Sequence, residues 1–143
     1  MTSYENDVIA WSIEQAGFIR AGRWDQLDLE HLADEIEDVG KAERHEFESR
    51  MALLLAHLLK WQFQPERRGK SWELTIKEQR RRIARRLEET PSLKADLKTD
   101  DFWDEAWEDG RRMAEGETGI LNVMPAACPW VFAQLMNPDF WPD

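Results

Sequence analysis

Cysteine is almost absent. Cys128 is the only one in 143 residues, which excludes an intramolecular disulfide and a cysteine metal cluster. Long apolar runs are missing too. The longest, Met51 to Leu59, is interrupted by His57 and falls well short of the roughly 18 residues that a membrane span needs. The opening stretch MTSYENDVIAW has acids where a secretory leader would carry basic residues, so a cytoplasmic location is expected. No segment alternates apolar and polar residues with a period of two, and no sheet is expected. There is no G-x-S-x-G, no phosphate-cradling glycine loop and no dinucleotide-binding glycine pattern. Positive charge is the minority sign: 19 Lys and Arg against 29 Asp and Glu leave a net charge of −10, which argues against general nucleic-acid binding.

What is abundant is tryptophan and helical periodicity. Eight tryptophans in a chain of this length supply ample apolar area for a core. Tyr4, Val8, Trp11, Gln15 and Phe18 recur at helical spacing, widened by Ile9, Ile13, Ala16 and Ile19, and predict a first helix over 3–21. Thr2 and Glu5 have the spacing of a capping box. A second helix over 29–63 carries Leu29, Leu32, Ile36 and Val39, then Phe47, Met51, Leu54, Leu58 and Trp61. It is about 50 Å long at 1.5 Å per residue, too long for so small a domain to cover, and Gly40 is the expected place for a kink or break.

A turn over 65–71 leads to a third helix over about 72–88, with Ser71 as its cap. Thr90 and Pro91 have cap and first-turn character for a short fourth helix. Phe102, Trp103, Ala106, Trp107, Gly110 and Met113 define an amphipathic helix over about 100–115. One or two further turns are expected over 129–136, starting at Pro129. The expected fold is all-α: one domain over 1–143, an antiparallel helical bundle with one long central helix and an irregular Trp-rich C-terminal tail.

Several segments carry a resemblance: YENDVIAW, RAGRWDQLDLEHLADEIEDVG, LLAHLLKWQFQPERRGKSWELTIKEQRRRI, TPSLK, and the closing ETG, CPW and NPDFWP. Together they resemble an uncharacterised bacterial family known as domain of unknown function 29, over essentially the whole chain. That resemblance implies a small bacterial protein in which this domain is the entire chain. The family has no agreed activity, so it assigns no role to any residue.

Three constellations could carry chemistry. Residues 67–86 hold nine basic groups against Glu73 and Glu78, a local charge of +7 that leaves −17 for the remainder. On a helix, Lys77, Arg81 and Arg85 share one face, with Arg82 and Arg86 on the adjoining one. Such a comb of guanidinium groups suits phosphate oxygens. The competing reading is neutralisation by acidic helix two, through Glu30, Asp34, Glu35, Glu37 and Asp38. In helix two, Glu43, Glu46, Arg50, His57 and Lys60 fall on or beside the apolar stripe. They define a candidate polar pocket between helices or, more simply, an internal ionic network with Glu46 paired to Arg50. Asp28, His31 and Glu35 share a helical face as metal ligands would, but no second helix offers the complementary ligands that bundle metal sites use. Neither a metal nor a cofactor is therefore expected. The thiol of Cys128, at an expected helix start, has no histidine on a neighbouring segment to activate it.

The first expectation for function is a non-catalytic protein-interaction or regulatory module, with an unnamed protein partner or self-association along helix two, and no membrane. The runner-up is a nucleic-acid-contacting regulator using the basic third helix. An enzyme with a pocket around His57 and Lys60 comes third.

Overall fold

The structure is a computed structural model and describes residues 2–143. Its contacts divide the chain into two units, the first ending at Glu43 and the second spanning Arg44–Asp143. The elements in order are α1 (Val8–Arg20), α2 (Leu29–Phe63), α3 (Lys70–Glu89), α4 (Asp100–Thr118) and α5 (Phe132–Met136), with 3-10 segments at Trp24–Gln26, Pro65–Arg67 and Pro91–Lys98. Among the described residues there is no strand. The all-α bundle expected from periodicity is what forms.

Helix α2 matches its predicted span to the residue and continues through Gly40 without a break. A single glycine lowers helix propensity by only about 1 kcal/mol, which a helix of 35 residues absorbs. Other boundaries differ because the cap is chosen by local geometry. Helix α1 starts at Val8, where Asp7 sits in an extended conformation and its carboxylate accepts from the Ala10 amide at 3.0 Å. Thr2 forms no capping box with Glu5. Its amide and hydroxyl both donate to Glu14, at 2.8 and 2.9 Å. Helix α3 starts at Lys70, after Gly69, so Ser71 lies inside it. The segment after Pro91 is a 3-10 turn, and Thr90 makes no side-chain cap bond. In the tail the helical turns begin at Phe132, beyond Pro129.

The hydrophobic core lies in the second unit. There α2 is buried on almost every side: Phe47, Met51, Leu54, Leu55, Leu58 and Leu59 have no exposed surface. Helix α3 brings Ile76 and Ile83, and α4 brings Phe102, Ala106 and Trp107. Helices α4 and α2 approach closely at Gly110, where an added Cβ would lie 2.8 Å from the Ala52 carbonyl oxygen and 3.0 Å from Leu55 Cβ. A side chain there would overlap hard, so glycine is what lets these two helices meet.

The C-terminal tail is tied down by aromatic rings and two arginines. Trp107 Nε1 donates to the Pro125 carbonyl at 2.9 Å. Trp130 lies edge-on to Trp107, with centroids 5.7 Å apart. Arg80 is buried, donates to the Leu135 and Phe140 carbonyls at 2.7 and 2.6 Å, and sits 5.4 Å from the Trp141 ring centre. In sequence Arg80 is one more member of a basic run; in the fold it is a strut. Arg68 plays a similar part, donating to Trp61 and Pro142. Cys128 donates to the Trp130 carbonyl at 3.3 Å, and burial pushes its thiol up, away from the reactive thiolate.

The first unit is held differently. Among its described residues only Trp11 and Gln15 are buried. Polar bonds converge on the start of α2: Trp11 Nε1 donates to Asp28 at 3.0 Å, and Gln15 Oε1 accepts from the Asp28 amide at 2.8 Å. Asp28 also takes His31 Nδ1 at 2.8 Å. Tyr4 stacks on the His31 ring at 4.2 Å, and its hydroxyl donates to Glu35, whose carboxylate pushes the phenol up to about 12.

Candidate functional site

The polar residues singled out in α2 do not form a single pocket. Glu46 and Arg50, one turn apart, form an ion pair. Glu46 also accepts from Arg86 Nε of α3 at 2.8 Å, so one carboxylate serves two guanidinium groups. Arg50 reaches on to Gln79 at 3.4 Å. His57 lies two turns further along, with Nδ1 bonded to the Leu53 carbonyl of its own helix at 2.9 Å. Burial holds the His57 imidazole below its usual range, and the Lys60 ammonium adds to the effect. Lys60 is itself buried, pairs with Glu117 of α4 and lies 5.4 Å from the Trp72 ring centre. A buried lysine must be paired, and Glu117 with the Trp72 face meets that need.

Parts of the two residue sets read separately from sequence meet instead in one cleft, without His57, Lys60 or Lys77. Glu46 and Arg50 from α2 and Arg81, Arg82, Arg85, Arg86 and Glu89 from α3 line an open cavity of about 480 Å³. Lys77 is exposed on α3 outside that lining. The acids expected to neutralise the arginines, Glu30 to Asp38, are not the ones bonded to Arg81, Arg82 and Arg85. Arg81 and Arg82 both bond to Glu78, at 2.7 and 2.6 Å, and Arg85 bonds to Glu89 at 2.8 Å. These i, i+3 and i, i+4 pairs arise within α3 itself. The two arginines hold the Glu78 carboxyl down to about 2.

A second surface feature was legible only in part: helix two was expected to be too long to cover, whereas the exposed face of α1 was not expected. Residues of α1 and early α2 that periodicity assigned to a core stand open to solvent: Ile9 is 71 % exposed, Ile13 68 %, Leu29 70 % and Ile36 71 %. Ile9, Ala16 and Ile19 of α1 and Leu32 of α2 line an apolar groove of about 410 Å³ within the first unit, with Gln15 and Glu35 also in its walls. Periodicity marks a face as apolar. It does not say whether the chain owns anything to cover it.

The three potential metal ligands do not converge. His31 bonds to Asp28 and lies 3.2 Å from Glu5, whereas Glu35 is engaged by Tyr4. Among the described residues no group of three or more His, Cys, Asp and Glu side chains is arranged to hold a metal ion. The hydrogen bond to Asp28 raises the His31 pKa, so the pair favours a charged imidazolium.

Fold and surface together define an all-α helical protein with a charged arginine cleft and an uncovered apolar face. The chain belongs to the family described as domain of unknown function DUF29, whose sequence profile matches residues 3–141. No curated protein matches it. No solved structure matches it either.

Proposed function

We propose that the chain is a non-catalytic protein-interaction module, and that its contact face is the apolar groove of the first unit, made to receive a basic amphipathic helix of a partner protein. The observation that carries this reading is that exposed Val8, Ile9 and Ile19 line the groove, in a unit with only two buried side chains among its described residues. Soluble proteins rarely leave contiguous apolar faces open unless something binds there. Two helices with a groove between them lack a third to complete the packing, and a docking helix supplies it by the groove-filling mode common in peptide recognition.

Charge selects the partner. Arg20, Arg23 and Lys41 stand against eleven acids in residues 1–43, a net charge of −8. A helix with an apolar stripe and lysines or arginines along its rim satisfies both features. A second copy of the same face brings another −8 and is repelled.

The test is a calorimetric titration of the full chain with two designed 18-residue helices, identical on the apolar face and carrying either lysine or glutamate on the polar face. The lysine peptide is expected to bind, the glutamate peptide not, and Ile9→Glu with Ile19→Glu should abolish binding while circular dichroism stays unchanged. Equal affinity for both peptides, no binding of either, or a sedimentation mass that doubles with concentration and is halved by Ile9→Glu would each refute this partner.

A further inference from the structure

The arginine cleft between α2 and α3 lies outside the groove just discussed and is carried by different observations. We propose that it binds a compact, multiply charged phosphate ligand, a polyphosphate or the phosphate chain of a nucleotide. Its lining holds five arginines and two glutamates, a local excess of three positive charges in a chain whose net charge is −10. Like charges are not gathered in one concavity of an acidic protein by the needs of packing. Arg81, Arg82 and Arg85 are exposed and contribute nothing to the core.

The donors are arranged in two tiers. At the floor, half-buried Arg50 and Arg86 are fixed by the shared Glu46 carboxylate, so their guanidinium planes are already oriented before a ligand arrives. Toward the rim, Arg82 and Arg85 each bond to a carboxylate through Nε alone, which leaves their terminal nitrogens without an acceptor among the described residues. A guanidinium has five N–H donors in a fixed fork. Terminal nitrogens facing an open cavity match the oxygens of a phosphate, which accepts bidentate, charge-assisted bonds. The exposed pairs with Glu78 and Glu89 are weak and exchangeable, as surface ion pairs are, so a ligand oxyanion can displace them.

The size of the cleft and the charge around it decide between a small ligand and a nucleic acid. A cavity of about 480 Å³ falls in the range of small-molecule sites, roughly 300–1,000 Å³. An extended polyanion would need a longer basic track, and Lys77, which would prolong it, is outside the lining.

Isothermal titration of the full chain with sodium tripolyphosphate, with ATP and with a 20-nucleotide single-stranded DNA separates the outcomes. Tripolyphosphate and ATP are expected to bind one to one at low salt. ATP binding more tightly assigns the ligand to the nucleotides; equal affinity assigns it to the phosphate chain alone. Arg82→Gln and Arg85→Gln should each weaken binding by roughly tenfold or more, the worth of a charge-assisted bond. Their Lys counterparts should recover part of the loss, since the charge returns without the fork. Glu78→Gln, which releases Arg81 and Arg82, should tighten binding roughly two- to fivefold, a gain that a merely structural carboxylate would not give. Arg112→Gln on α4 is the control and should change nothing. No heat at millimolar tripolyphosphate, affinity unmoved by Arg82→Gln and Arg85→Gln, or DNA bound more tightly than either small ligand would overturn the proposal.

Discussion

The first and last parts of α2 are one continuous helix with opposite fates. From Leu29 to Glu43 its apolar residues Leu29, Ile36 and Val39 are 67–71 % exposed and its flanks are acidic. From Arg44 onward Phe47, Met51, Leu54, Leu55, Leu58 and Leu59 are fully buried, and even Glu48 and Lys60 are enclosed. Each stretch carries an apolar stripe, the second one richer in leucine. The difference lies in what surrounds them: α3, α4 and the tail supply the second unit's core, whereas α1 alone shares the first unit with α2. A stripe is buried only when the fold provides enough partners for it. Where the fold provides one, the stripe remains a surface and becomes available to another molecule.

The sharpest way to break this comparison is to truncate an apolar residue on each side. Leu58→Ala should destabilise the chain by about 2–5 kcal/mol in urea denaturation, the range for a large core residue that leaves a cavity. The matched change on the other side, Ile36→Ala, should stay within about 0.5 kcal/mol, as exposed substitutions do. A cost above about 1.5 kcal/mol for Ile36→Ala would mean that the face is covered in solution.

Next in size is the buried carboxyl of Glu48. Desolvation first, then the facing Asp109 and Glu105 of α4, push it up to about 7. The folded state therefore holds a proton on this group that the unfolded chain loses near pH 4.5. Stability from this proton is complete below about pH 4.5 and is lost as pH rises to about 7. Glu48→Gln removes the need for it and should stabilise the chain at pH 8 by on the order of 1–3 kcal/mol, with little effect at pH 4. An equal shift in melting temperature at both pH values would show that the group is not protonated in the fold.

The cap of α1 comes third. Asp7→Ala deletes the acceptor for the Ala10 amide and should cost about 1 kcal/mol. The loss should be seen as faster amide exchange in α1 while the second unit is unchanged; a uniform increase across the chain would mean that the two units do not open independently.

The smallest effect belongs to His31. Its pKa is raised by Asp28, so the stability it adds to the first unit is fully present below pH 6.5 and fades as pH rises through its folded value. His31→Gln should remove that pH dependence from the protection factors of α1. Protection factors in the parent chain, corrected for intrinsic exchange, that are flat between pH 6 and 8 would contradict the assigned shift.

Much of the architecture was legible without coordinates. The span of α2, the position of α4 and the absence of strands follow from helical periodicity and from Pro65, Pro91 and Gly119, which end elements for steric reasons. The Glu46–Arg50 pair could be read from its four-residue spacing. The partners of Lys60 and Arg80 could not: Glu117 is 57 residues from Lys60, and the Leu135 carbonyl 55 from Arg80. The arginine cleft was half-visible. Its cations are conspicuous in sequence, but Glu46 and Arg50 become its floor only because α3 lies along the second half of α2.

The amino-acid order by itself determined the helices, since each depends on bonds and side-chain contacts within a few residues. It also determined the charge and the apolar stripes. Tertiary structure alone decided which stripe is core and which is surface, and which arginine is a strut and which lines an open cleft. Those outcomes rest on contacts between residues far apart in the chain, and burial is a property of the neighbours as much as of the residue buried.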